Sequence, residues 1–320
     1  MIEILKFSES GIQRLKKPKK DAWINVVNPD AYEIKYLAEI WKIKEVDYQE
    51  FKDDINSLQD MEEIPYMEKY KREYFIITRT PHKLKSTDPE SKYKSAAEYI
   101  TIPLGIMINK DYIITISFRE NENVDILKTK KFKHEKAMVL LNLLLVSSKT
   151  YIKYLKEIDT KIKAIEEKFE SVQRNKEISD LLDLKKSLVY FNTSLQSDQI
   201  LLEKIERNKD FVNSEDDKDV IDDVIDENKQ AIVVTEIYNN IIEDATNRFN
   251  SVISNNLNKT LKLLTSITVV ITIPTVISSI YGMNVSLPLE HHKYAFIIIM
   301  GLTVILSTLC VLILWKYDMF

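Results

Sequence analysis

Apolar residues are spread unevenly along this chain. Residues 263–280 form a run of 18 without a charge, and residues 295–315 a run of 21. A bilayer core needs roughly 20 apolar residues in a helix, so both runs predict membrane crossings. Upstream, residues 140–169 and 178–205 carry apolar positions at helical spacing among Lys and Glu, with a break at Asn175. That pattern predicts two antiparallel helices. After a second break at 211–214, no proline or glycine occurs from Asn213 to Thr272. The absence predicts one helix from about Glu215 into the membrane, interrupted only around Pro274 or Gly282. About 65 residues at 1.5 Å each make a rod of roughly 100 Å, a stalk. Val234, Tyr238, Ile241, Ala245, Phe249 and Val252 recur along it at three- and four-residue steps, a seam expected to pack against copies of itself.

The first 130 residues have a different texture. Residues 22–27, 74–80, 98–108 and 112–118 are β-rich runs, the last two joined by a hairpin turn at Asn109-Lys110-Asp111. Asn28-Pro29-Asp30 supplies a cap for a helix over 32–41. Residues 86–95 are polar, contain a proline, and are expected to be a mobile loop. The predicted class is an α+β membrane protein: an α/β domain (1–130), a helix pair (131–214) and a stalk (215–262). A first crossing (263–281), an external loop (282–293), a second crossing (294–315) and a short tail (316–320) follow.

Charge adds direction. The chain carries 45 basic and 49 acidic residues, a net −4, so no overall basic field favours nucleic acid. The cluster Arg14, Lys16, Lys17, Lys19, Lys20 is expected to be a surface loop. Lys259, Lys262 and Lys316 flank one side of the two crossings, and only Lys293 lies in the loop between them. The positive-inside bias then places body and tail in the cytoplasm and the loop outside, as in a cell-membrane protein with both termini cytoplasmic. Cys310 is the only cysteine, which suits a reducing compartment and excludes an intrachain disulfide. The N-terminus lacks the basic start and apolar core of a signal peptide. Four glycines do not compose a nucleotide-binding loop, and the histidines at 82, 134, 291 and 292 are scattered. No nucleophile–base–acid set is visible, so neither a nucleotide-driven pump nor an enzyme is expected.

The two crossings differ in kind. Residues 263–280 contain seven hydroxyl side chains and residues 295–315 three. Five of the seven, Thr265, Thr268, Thr272, Thr275 and Ser279, follow steps of three and four, so they share one helix face. That face continues back through Leu261 to Asn258. Such a stripe either lines water or binds neighbouring helices, with Thr and Ser able to bond their own backbone. It has no charge. Wide pores of hydroxyls and amides can hold a hydrated ion through its waters, which suits Mg²⁺, a cation that dehydrates reluctantly. One chain with two helices cannot enclose such a path, so several copies must.

Tyr281-Gly282-Met283-Asn284 follows the first crossing, and with it the chain resembles the CorA family of divalent-cation channels. The residues 254–259 (Ser-Asn-Asn-Leu-Asn-Lys), 262–265 (Lys-Leu-Leu-Thr), Pro274-Thr275, and Trp23 to Pro29 are also similar to family segments. The resemblance implies a homopentamer with the first crossing innermost and the second facing lipid. It implies that Asn284 and the Gly282 carbonyls hold hydrated Mg²⁺ at the outer mouth, with Met283 completing the filter. Asn258 would hold an ion near the inner end, and Leu261 and Leu264 would form a hydrophobic constriction. No cofactor is implied beyond transported and regulatory Mg²⁺.

The acidic run 215–227 holds eight carboxylates. Its first members suit a helix N-terminus. Asp223-Val224-Ile225-Asp226 instead resembles the family segment whose aspartate binds a regulatory ion between subunits. The family's partner acid follows a strand of the α/β domain. Here that stretch is Thr80-Pro81-His82-Lys83, and the next acids are Asp88 and Glu90. Two alternatives stay open: transport of Co²⁺, Ni²⁺ or Zn²⁺ by the same architecture, and a membrane-anchored coiled-coil scaffold. Adjacent His291 and His292 hint at a transition metal, whereas Met283 stands where the family's zinc branch has isoleucine.

Overall fold

The computed structural model describes residues 1–320 apart from 9–10, 61–62, 71–72, 86–96, 131–134, 173–174, 290, 318 and 320. The expected mobile loop at 86–95, with Asp88 and Glu90, lies outside the described residues. The chain forms two compact units, Met1–Ala245 and Thr246–Phe320.

The first unit is built on a seven-stranded sheet in the order β2-β1-β3-β7-β6-β5-β4. The strands are β1 (Ile2–Ser8), β2 (Gly11–Arg14), β3 (Ala22–Val27), β4 (Tyr66–Tyr70), β5 (Glu73–Lys83), β6 (Tyr99–Ile108) and β7 (Tyr112–Ser117). β3 and β7 run parallel, and the other pairings are antiparallel. Both faces are covered, so the central strands are apolar throughout rather than alternating. Ile24, Val26, Phe75, Ile77, Met107, Ile114 and Ile116 pack on α1 (Ala31–Trp41) and α2 (Tyr48–Ser57). Their strand neighbours Trp23, Tyr74, Ile76, Ile106 and Ile113 face α3 (Glu122–Thr129), α4 (Lys136–Val172), α5 (Asn175–Glu206) and the start of α6 (Glu215–Tyr281). Each such buried side chain contributes about 1.5–3 kcal/mol relative to exposure. Gly105 sits opposite Leu58, where a Cβ would come within 2.6 Å of a leucine methyl, so its bareness admits α2 to the sheet.

Local signals explain the ends of the elements. Asp30 caps α1 by accepting from the Glu33 N–H at 2.8 Å, and Glu33 returns a bond to the Asp30 N–H, a reciprocal cap. Asn109 shapes the β6–β7 turn by accepting from the N–H groups of Asp111 and Tyr112. Lys16, Lys17, Lys19 and Lys20 occupy the exposed connection before β3, as expected, while Arg14 ends β2 and pairs with Glu3. α4 and α5 run antiparallel: Tyr151 meets Phe191 edge-on at 5.0 Å, and Lys161 and Asp183 share a cleft farther along. α6 starts on a cap in which the Ser214 hydroxyl accepts from the Asp217 N–H and the Asp217 carboxylate accepts from the Ser214 and Asn213 N–H groups.

Part of the stalk seam packs within the chain. Beyond Asn228 the buried stripe of α6 in this unit is Ala231, Thr235, Ile242 and Ala245, with Tyr238 half-buried on the same line. It packs on helices of its own chain. Asn228 donates to the Leu195 carbonyl and the Gln199 side chain of α5, Lys185 of α5 pairs with Glu243, and Tyr238 lies beside Asp159 and Lys163 of α4. Tyr238 and Ala245 thus lie on an intrachain seam, whereas Ile241 is exposed.

One polar cluster is locked between sheet and helices. Arg79 is 6 % exposed and donates to the Thr101 hydroxyl and carbonyl and to the Glu63 carbonyl. Beside it, buried Asp198 of α5 accepts from the Thr78 hydroxyl at 2.9 Å and the Arg79 N–H at 3.4 Å. Burial pushes the Asp198 carboxyl up to about 7, outweighing those bonds and the nearby guanidinium.

Candidate functional site

The second unit holds the end of α6, the turn after it, and α7 (Ala295–Lys316). Both helices are long and apolar enough to cross a membrane. α6 continues through Pro274 and ends at Tyr281. Proline has no N–H, so the i−4 carbonyl of Val270 loses its usual helical donor.

Burial sorts the faces of α6. Ser266, Val270, Ile273, Pro274 and Ile277 are buried or half-buried, at steps that keep them on one side. On α7 the half-buried positions are Ala295, Ile299, Thr303, Ser307, Cys310 and Leu314, again one stripe. Two helices packed side by side leave this pattern. The Ser266 hydroxyl donates to the Met319 carbonyl at 2.9 Å, tying α6 to the residues after α7.

Asn258, Leu261, Leu264, Thr265, Thr268, Thr272, Thr275 and Ser279 are all exposed. At about 100° per residue they lie on the side of α6 roughly opposite the Ser266–Ile277 stripe. Three of the threonines return their proton to the preceding turn: Thr268 to the Leu264 carbonyl, Thr272 to Thr268 and Thr275 to Ile271, at 2.8, 2.8 and 2.9 Å. Thr303 and Thr308 of α7 do the same, so back-bonding is the common state of a threonine in these helices.

Gly282, Met283 and Asn284 follow directly. The Gly282 N–H donates to the Ser278 carbonyl at 3.0 Å and the Met283 N–H to Ile280 at 3.2 Å. A Cβ at Gly282 would stand 3.3 Å from the Ser278 oxygen, while its φ lies outside the left-handed region. A side chain here would crowd a carbonyl of the preceding turn, and no unusual dihedral is involved. Met283 and Asn284 are exposed.

Several contacts of the outer segment carried no sequence signal. The Tyr281 hydroxyl reaches the Pro288 carbonyl at 3.5 Å, closing the loop on the helix that precedes it. His292 accepts the Tyr294 N–H on Nδ1 at 3.2 Å, a contact within the outer segment. Ser266 stands one residue off the hydroxyl stripe, and only the packing of α7 distinguishes it.

The regulatory candidates are less complete. Asp223 and Asp226 are exposed on α6 between the core residues Ile221, Val224 and Ile225. Asp88 and Glu90 lie outside the described residues. Among the described residues no group of three or more His, Cys, Asp or Glu side chains could hold a metal within one chain. Two carboxylates alone are a partial ligand set for Mg²⁺, so the residues present fit a regulatory ion only if another chain contributes.

Comparison with known proteins adds the following. The family model described as CorA-like Mg²⁺ transporter protein matches residues 19–316. The cobalt/magnesium transport protein CorA of Methanocaldococcus jannaschii is 24% identical, over 98% of both chains. The complete structure of the CorA magnesium transporter from that organism superposes with a TM-score of 0.81 at 23% identity, covering 98% of this chain and 96% of that one. The full-length CmaX protein superposes at 0.72 with 16% identity, over 98% and 96% of the two chains.

Proposed function

The chain belongs to the CorA-like Mg²⁺ transporter family, and from that premise we propose a homopentameric channel for passive uptake of hydrated Mg²⁺, gated by cytoplasmic divalent cation. Family membership makes it a divalent-cation transport protein of the membrane and not an enzyme. The observation that carries the finer reading is the uncharged face of α6. It runs from Asn258 to Ser279, opposite the side that α7 covers, and leads to the Asn284 turn.

A face of hydroxyl and amide oxygens turned away from lipid-facing α7 is suited to the axis of a ring of copies. Mg²⁺ keeps its waters where no carboxylate strips them, and hydroxyl and amide oxygens accept from those waters. Asn284 and the Gly282 carbonyls form the outer filter, with Met283 packed against neighbouring turns. Asn258 receives the ion at the inner end. Leu261 and Leu264, about half exposed in one chain, close on their copies as the hydrophobic gate. The same chemistry accepts hydrated Co²⁺, and the printed name of the M. jannaschii relative pairs the two metals. Co²⁺ is therefore the second cargo. The scaffold reading leaves the amide-ended stripe without a task.

Lysine placement supports a cytoplasmic body and an external turn. A cysteine at Ser286 is expected to react with an impermeant reagent added to intact cells, and one at exposed Thr193 of α5 is not. Labelling of Thr193→Cys alone contradicts the orientation.

Regulation is assigned to Asp223 and Asp226, bridged by Mg²⁺ to acids of a neighbouring copy, with Asp88 and Glu90 as the partner acids. The ion offsets repulsion between acidic surfaces and holds the closed ring. Replacing both aspartates by alanine is expected to weaken inhibition of flux by cytoplasmic Mg²⁺ at least about tenfold, the effect of losing one charge-assisted contact per interface. An unchanged inhibition curve returns these acids to the role of a solvated helix start.

A further inference from the structure

We infer that Thr268, Thr272 and Thr275 set the charge selectivity of the pathway, because their hydroxyl protons are committed to their own helix. The inference rests on the channel reading above and adds a specificity role that the pore lining alone does not supply. The observation is the set of bonds to the Leu264, Thr268 and Ile271 carbonyls, at 2.8, 2.8 and 2.9 Å. A hydroxyl has one proton and two lone pairs. With the proton spent on a carbonyl one turn back, only lone pairs remain to face the lumen.

The consequence is a sign preference without a formal charge. Waters bound to a divalent cation point their protons outward and need acceptors. Waters around an anion point oxygen outward and need donors. Among the described residues 263–280 there is no charged side chain, and these three threonines present acceptors over the middle two turns of the crossing. An anion that passed the amide donors of Asn284 meets no donor from these three groups. A cation's shell meets an acceptor at each, repeated in every copy. Ser266, one position away, spends its proton on the Met319 carbonyl and belongs to the α7 side, so it plays no part.

The back-bond also distinguishes threonine from its near neighbours in shape. Valine keeps the size and branching and removes the acceptor. Asparagine keeps an acceptor and introduces an NH₂ donor that the preceding carbonyl cannot fully occupy. Full-length protein in liposomes under a MgCl₂ gradient separates these cases, with internal Mg²⁺ reported by a dye and selectivity by the zero-current potential. Wild type is expected to pass Mg²⁺ and exclude chloride. Thr272→Val is expected to lower Mg²⁺ flux by at least about tenfold, since every copy loses an acceptor for the waters of the hydrated ion. Thr272→Asn is expected to move the potential toward that of chloride. Thr308→Val removes an equally back-bonded hydroxyl from α7 and is expected to change neither quantity. A conducting wild type whose Thr272→Val and Thr272→Asn variants keep its flux and its potential overturns this inference alone. A folded wild type that passes no Mg²⁺ overturns the channel reading and this inference with it.

Discussion

Asn284→Ala is expected to abolish Mg²⁺ flux, a loss of more than about a hundredfold, while the protein still runs as a five-chain assembly in mild detergent. The size follows from repetition. In the proposed ring one substitution removes an amide from every copy, and an amide can both accept from ion-bound water and tie adjacent turns together. Gly282 binds its N–H to the Ser278 carbonyl, and a side chain there would press on that oxygen, so the turn carrying Asn284 stays close to the end of α6. The control is Thr308→Ala, an exposed hydroxyl of α7. Thr303 is less suitable, because it lies half-buried on the stripe of α7 that meets α6. Normal conduction by an intact Asn284→Ala assembly makes the turn a structural corner and removes the filter assignment. A smaller assembly with full flux removes the shared pore.

Asp198→Asn is expected to have the largest effect on stability. The Asp198 carboxyl is held at about 7 by burial, against an ordinary value of 3.8. Between those values the folded state keeps a proton that the unfolded state has lost. Stability therefore falls as pH rises through the window from about 4 to about 7, and stays reduced above it. A shift of that size corresponds to about 4 kcal/mol between the ends of the window. Asparagine keeps an oxygen for the Thr78 hydroxyl and the Arg79 N–H and cannot ionise. The variant is expected to be more stable than wild type by roughly 2–4 kcal/mol at pH 8 and close to it near pH 4. Thermal unfolding of the full chain at both pH values measures this. Parallel pH profiles for the two proteins contradict it.

How much of this was legible depends on what each pattern encodes. β3, β6 and β7 announce themselves as apolar runs because they are covered on both faces. β1, β2 and β4 do not, being short or only partly buried towards the edges of the sheet. α2 is written largely in polar letters, with only Phe51 and Ile55 buried, and α3 offers little more. The parallel pairing of β3 with β7 joins segments about ninety residues apart, which no local pattern specifies. The stalk seam shows a related limit. Three- and four-residue spacing says that a helix has an apolar face, and Tyr238 and Ala245 satisfy it. Whether that face meets another copy or the chain's own α4 and α5 is a tertiary fact.

The candidate site was more open to reading, because a hydroxyl stripe in an apolar helix and a Gly-Met-Asn turn are rare features in this composition. The position of the stripe needed only helical periodicity, whereas the turn's role is what the resemblance to the family implies. The hydroxyls' protons, the side that α7 covers and the reason for Gly282 needed coordinates. Asp198 carried no sequence signal, since its partners Thr78 and Arg79 lie some 120 residues away.

The most direct measurement is ion flux into liposomes containing only this protein, with Mg²⁺, Co²⁺ and Zn²⁺ compared at equal gradients and no energy source. Passive Mg²⁺ uptake is expected, with Co²⁺ uptake of similar order, little Zn²⁺, and loss of all flux in Asn284→Ala. Liposomes with folded, inserted protein that stay closed to Mg²⁺ and Co²⁺ would contradict it.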